Sequence, residues 1–220
     1  MKIQNVLCVG LIAGAASVAS AGLVQVDVVG SVDFNQINFG AFAGSPSGTP
    51  ATMSFRVDSD VFADSMMFPT RGYDIIASTF TLTVGSNTVG LANPYPAGAT
   101  PTFVLRDNDP AVDGFFLGSS PDVGFPNGVT TDEPGGIADN FQALFQATYT
   151  GSTLNSLNIL DALGTYDFTN LTVFNWGAED GPFQPLGLIF DYFTISEVPA
   201  PGSLALFAAA PLALVRRRRD

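Results

Sequence analysis

The densest run of oxygen-bearing side chains in this sequence is Asp107-Asn108-Asp109-Pro110-Ala111-Val112-Asp113. Calcium takes about six to eight oxygens, and Asp and Asn spaced closely in a tight turn supply several of them. Asp107 and Asp109 have the first two spacings of a calcium loop. The fifth position is Ala111 and no glutamate stands at the twelfth, so the segment is not an EF-hand. The chemistry to expect is calcium held by Asp107, Asp109 and Asp113. The alternative is ordinary turn-building, for which Asn, Asp, Pro and Gly are equally suited.

A second acidic group is Asp58-Ser59-Asp60 with Asp64. Alternate residues of an extended segment point the same way, so Asp58 and Asp60 either share a cation or line a solvated loop. Thr131-Asp132-Glu133-Pro134-Gly135-Gly136 and Glu179-Asp180-Gly181-Pro182 read as exposed turns. Trp176 is the sole tryptophan and lies between Asn175 and Gly177. It reads as a ring in a glycine-rich turn after a strand, either packing in the core or against a loop or stacking on a sugar.

The residues that are missing narrow the chemistry further. The chain has no histidine, its one lysine is Lys2 and its one cysteine is Cys8. Between residues 22 and 197 the histidine and lysine general bases and the Schiff-base and thiol nucleophiles are therefore absent, and carboxylates carry nearly all the acid–base capacity. The expectation is a non-enzymatic domain. The same window holds Arg56, Arg71 and Arg106 against nineteen acids, a net charge of −16. Nucleic-acid binding needs a basic footprint and is excluded. Cation binding, or solubility at a crowded cell surface, fits this charge.

The elements that must position these groups read as strands. Leu23 to Val29 alternates, placing valines on one face, and Thr79 to Val84 alternates threonine with apolar residues. Phe141 to Thr150 and Leu188 to Ser196 are longer candidates; Ala51 to Val57, Thr102 to Arg106 and Leu171 to Phe174 are shorter ones. Ala138 to Ala147 fits a short helix or a strand. Turn-forming stretches such as Gly44-Ser45-Pro46-Ser47-Gly48 and Gly85-Ser86-Asn87 separate them. The predicted fold class is all-β, an antiparallel β-sandwich of jelly-roll-like character over residues 22–197.

Both ends of the sequence have a different character. Lys2 precedes an apolar run from Val6 to Ala16, and Ala19-Ser20-Ala21 has the small-x-small form of a signal-peptidase site. Residues 1–21 are thus a predicted signal peptide, with the mature chain starting at Gly22. Cys8 leaves with that peptide, so the remaining chain forms no disulfide. At the other end Val198-Pro199-Ala200-Pro201 precedes the apolar run Gly202 to Val215 and the cluster Arg216-Arg217-Arg218-Arg219. Four guanidiniums abutting an apolar run form a stop-transfer signal. The run has 14 residues, or 18 counted from Val198, and Pro211 interrupts it. A spanning helix needs roughly 17–25. A segment held briefly in the membrane fits this length, and an ordinary single-pass anchor is the alternative.

Signal peptide, polar domain, Pro-x-Pro motif, short apolar segment and terminal arginines together resemble the PEP-CTERM sorting class. Its members are exported by Gram-negative bacteria and processed by exosortase, a membrane-embedded cysteine transpeptidase. The class motif is usually Val-Pro-Glu-Pro; here Ala200 takes the place of the glutamate and Glu197 stands just before the motif. The resemblance covers the signal peptide and residues 198–220. It implies the general export machinery and exosortase as partners and transient retention at the inner membrane. It further implies a role in the cell envelope or extracellular matrix alongside exopolysaccharide. For the domain itself two further readings stand: a calcium-assisted carbohydrate-binding module using Asp107, Asp109, Asp113 and Trp176, and a secreted polysaccharide-active enzyme using carboxylates.

Overall fold

A computed structural model describes residues 22–108, 112–121, 123–181 and 183–199. The strands are β1 (Leu23–Asn35), β2 (Pro50–Asp64), β3 (Thr70–Ile75), β4 (Thr81–Val84), β5 (Asn87–Val89) and β6 (Pro101–Arg106). They continue with β7 (Val112–Ser119), β8 (Val129–Pro134), β9 (Asn140–Thr150), β10 (Gly164–Tyr166), β11 (Leu171–Asp180) and β12 (Phe183–Glu197). Short 3-10 turns at Ala77–Thr79 and Ile159–Ala162 are the helical elements among the described residues. None of the described helices is long and apolar enough to cross a membrane.

The expectation of an all-β antiparallel fold holds. Eight strands form a ring in the order β1-β2-β3-β6-β7-β9-β11-β12, and β12 pairs back onto β1. The ring strands keep chain order, with β4, β5, β8 and β10 inserted between them, so the sandwich-like fold closes as an eight-stranded barrel wired up and down and not as a jelly roll. Closure removes the exposed edges that an open sheet would carry.

The wall is continuous because long strands exchange partners along their length. β2 pairs β4 across Ala51–Ser54 and β3 from Val57 onward. β9 pairs β8 at Gln142 and Ala143, then β7 from Gln146 to Thr150. β12 leaves β11 after Leu188 and takes β10 at Phe193–Ile195. Thus β4, β8 and β10 fill the places where ring strands diverge.

Alternation explains the interior. Val24, Val26, Val28 and Val32 of β1 are buried, and their intervening neighbours are more exposed. Phe141, Ala143, Phe145, Ala147 and Tyr149 do the same in β9, which settles the Ala138–Ala147 ambiguity as strand. Rings fill the core in continuous contact: Phe55 lies 5.3 Å from Phe103, Phe103 6.0 Å from Phe115, and Phe115 5.1 Å from Phe193. β6 and β7 break the alternation because both of their faces are covered. Val104 and Phe116 face outward and pack beneath Val123, in the segment after β7.

Candidate functional site

Asp113, the second residue of β7, has the same parity as Phe115 and Leu117, so its carboxylate turns inward and is wholly buried. Oδ1 accepts from the Asn108 amide at 2.9 Å and Oδ2 from the Leu154 amide at 2.6 Å. It therefore ties the turn after β6 to the loop after β9. Asp107 lies nearby and accepts from Asn108 Nδ2 at 2.6 Å. Burial pushes the Asp107 pKa up and the charge of Asp113 adds to the rise, while the Asn108 contact opposes it. Asp109, the middle member of the expected calcium set, lies outside the described residues. Among the described residues no three His, Cys, Asp or Glu side chains gather as metal ligands. Replacing Asp113 by asparagine leaves one amide facing an NH2 group. The expected loss is about 2–4 kcal/mol, measured by urea denaturation.

The other sequence candidates occupy structural positions as well. Asp58 Oδ1 accepts from the Asp60 amide at 2.9 Å, while Asp64 pairs with Arg71 at 2.6 Å. That Arg71 hydrogen bond holds the Asp64 carboxyl below its ordinary range. Trp176 takes the core alternative, within a strand and not in a turn. It sits in mid-β11, opposite Leu188 and Phe145, and is 2% exposed. Gly177 continues the strand instead of ending it, so the indole joins the core and offers no face to a sugar. Its Nε1 has no hydrogen-bond partner among the described residues.

Asp180, expected in an exposed turn, is fully buried. Its parity along β11 matches Trp176 and Ala178, which sends the carboxylate inward. Three successive amides converge on it: Gly136 at 2.6 Å, Ile137 at 2.9 Å and Ala138 at 2.7 Å. Burial alone would raise its pKa, but these N–H donors outweigh burial and hold it below the usual carboxylate range. This is a concave anion site filled by the protein's own side chain. Thr131, in the other expected turn, is likewise buried in β8 and donates to Phe141 O at 2.9 Å.

A concavity lies on the outside of the barrel, over the β11–β12 hairpin. It has a volume of about 230 Å3 and is lined by Asp33, Phe34, Phe174, Asn175, Glu179 and the backbone around Gly177 and Gly187. Gly177 and Gly187 are register partners and form its floor. A Cβ on Gly187 would overlap the Phe34 ring, so glycine is what lets that ring lie against the strand. Phe34 and Phe174 remain 46% and 38% exposed. Burial pushes the Glu179 carboxyl upward. No basic residue lines the groove. Two ring faces with carboxylate and amide oxygens suit a neutral, hydroxyl-bearing ligand and repel an anionic one. The volume is below the roughly 300–1,000 Å3 of pockets that enclose a drug-sized ligand. It matches part of a larger molecule.

No protein-family model matches this chain, and neither a curated protein nor a solved structure matches it.

Proposed function

We propose that this chain is an exported, exosortase-processed protein of the cell envelope or extracellular matrix, whose acidic barrel works by contact and not by catalysis. The observation that supports this reading is that the barrel fills the interval between the two predicted sorting signals. β1 begins one residue after the predicted start at Gly22, and β12 ends at Glu197, immediately before Val198-Pro199-Ala200-Pro201. The described domain thus occupies the interval that export and sorting would leave intact. Ala19, Ala21, Ala200, Pro201 and Arg216 to Arg219 lie outside the described residues, so the signals themselves rest on sequence. Intact mass with sequencing of both termini, on protein from its native cells, tests the proposal. A chain running from Gly22 to near Pro199 is expected; one still carrying Arg216 to Arg219 overturns the exosortase step.

The outer groove favours a second reading, in which the barrel grips exopolysaccharide through one sugar ring at a time. Calcium plays no required part in it. Titration with neutral oligosaccharides should then saturate, and Phe174→Ala should weaken binding several-fold, since ring stacking contributes about 0.5–1.5 kcal/mol. Reducing ends released during the same titration, and lost in Glu179→Gln, would favour the polysaccharide-active enzyme instead.

A further inference from the structure

The direction of the strands places three features at one end of the barrel. β1 begins there, β12 ends there, and β2 runs there before turning into β3. The contacts are close. The Ser59 amide donates to Gly22 O at 3.0 Å and the Val198 amide to Leu23 O at 2.8 Å. Beyond Ser59, β2 continues through Val61 and Phe62 to a turn made of Ser65-Met66-Met67-Phe68-Pro69.

That turn is apolar and outward-facing. Met66 is 101% exposed and Met67 81%, with Val61 and Phe62 exposed on the strand leading to them. Phe125, itself exposed, packs edge-on against Phe68 at 5.4 Å and broadens the patch. The turn has a defined shape: Ser65 Oγ accepts from the Met67 and Phe68 amides, and the Ser65 amide donates to Thr70 O. Between Val61 and Arg71 the two charges cancel, with Asp58 and Asp60 set further back along β2. Arg71 pairs with Asp64 and lies 3.9 Å over the Phe62 ring. On a domain of net charge −16, this neutral apolar tip is an exception.

We infer that the β2–β3 hairpin tip docks into the lipid interface of the membrane that holds the C-terminal tail, so that the barrel stands end-on against the bilayer. The inference rests on reading residues 198–220 as a membrane-borne sorting tail. From it the geometry follows. Only Pro199, Ala200 and Pro201 separate Val198, which is bonded to β1, from the apolar run starting at Gly202. Three residues reach about 10 Å at most. The end of the barrel that carries Met66 and Met67 is therefore kept at the headgroups, where apolar side chains insert roughly 5–10 Å. Two weak contacts joined by so short a link reinforce each other strongly. Cutting the link leaves the hairpin alone, and the barrel leaves the membrane.

The test uses the chain from Gly22 to Asp220, which contains no cysteine, in phosphatidylcholine vesicles carrying a nitroxide lipid. Three single-cysteine variants receive the same fluorophore: Met66→Cys at the tip, Ser86→Cys in the β4–β5 turn at the opposite end, and Leu206→Cys in the tail. The expected result is quenching of the Met66 and Leu206 probes by roughly half or more, as insertion to the acyl boundary requires, with Ser86 unaffected. Quenching of Leu206 alone overturns the docking inference and leaves the tail reading standing, with a protein partner then indicated for the tip. Quenching at neither position overturns both. Met66 is fully exposed, so its replacement does not disturb folding.

Discussion

Phe193→Ala is expected to remove about 3–5 kcal/mol of stability, a large part of the roughly 5–15 kcal/mol a domain possesses. The side chain is fully buried, and its ring has aromatic neighbours on every side where β12 meets other strands. Tyr166 stacks on it at 4.9 Å, while Phe115 and Phe145 meet it edge-on at 5.1 and 5.3 Å. Phe190 completes the group at 5.9 Å. Its backbone pairs with Val28 of β1 and with Tyr166 of β10. The cavity would therefore open where two wall strands attach, in a region too rigid to collapse around it. Urea denaturation should show the loss as a lower midpoint. Phe193→Leu, which keeps most of the volume, should lose under about 2 kcal/mol. Equal losses for the two variants would mean that ring geometry, and not filled volume, sets the effect.

Asp180→Asn should lower the melting temperature by roughly 5–10 °C, since several charge-assisted bonds are weakened in a domain of this size. Asparagine retains one acceptor oxygen and turns an NH2 group toward amides that can only donate. The segment Gly135–Ala138 is released first, and limited proteolysis should find its new cleavage there. The pH dependence follows from the depressed pKa. Stability from Asp180 is fully present above the unfolded carboxylate value of about 3.9 and is lost as pH falls through the lower folded value. The variant should accordingly show a flatter acid limb than the parent. Asp74, Asp107 and Glu179 act in the opposite sense, because burial raises their pKa values. Their cost is absent below the unfolded value and grows as pH rises through the folded one. Glu179→Gln should therefore steepen, not flatten, the loss of stability on acidification.

The strands legible in the sequence are those with one covered face. β1, β4, β9 and β12 alternate because the core lies on one side and water on the other. β7, Val112-Asp113-Gly114-Phe115-Phe116-Leu117-Gly118-Ser119, hides its period because Phe116 packs under Val123 while Phe115 packs in the core. β3 and β8 mix buried threonine and glycine with charged residues, and β10 has only three residues. Closure was not legible at all, because it depends on Val24 meeting Glu197 across almost the whole domain. The acidic residues taught a more useful rule. Asp113 and Asp180 both look like turn carboxylates by composition. Each shares strand parity with buried neighbours, Phe115 and Leu117 for one, Trp176 and Ala178 for the other. An acid in phase with the core must find N–H donors inside it, and both do. The groove residues Phe34 and Phe174 carry no such signal, since an aromatic in a strand reads as core until its cross-strand partner, Gly187 for Phe34, is known.

The last hydrogen bond joining the two ends of the chain is that from Val198 to Leu23. It works as the final stitch of a seam running the length of β1 and β12. A cut after Pro199 falls just outside the stitching and leaves the wall whole. A cut a few residues earlier would strip Ile195 and Glu197 from their partners Val26 and Val24 and let the seam run. An enzyme that severed the proposed tail would thus have freedom on one side of its target and very little on the other.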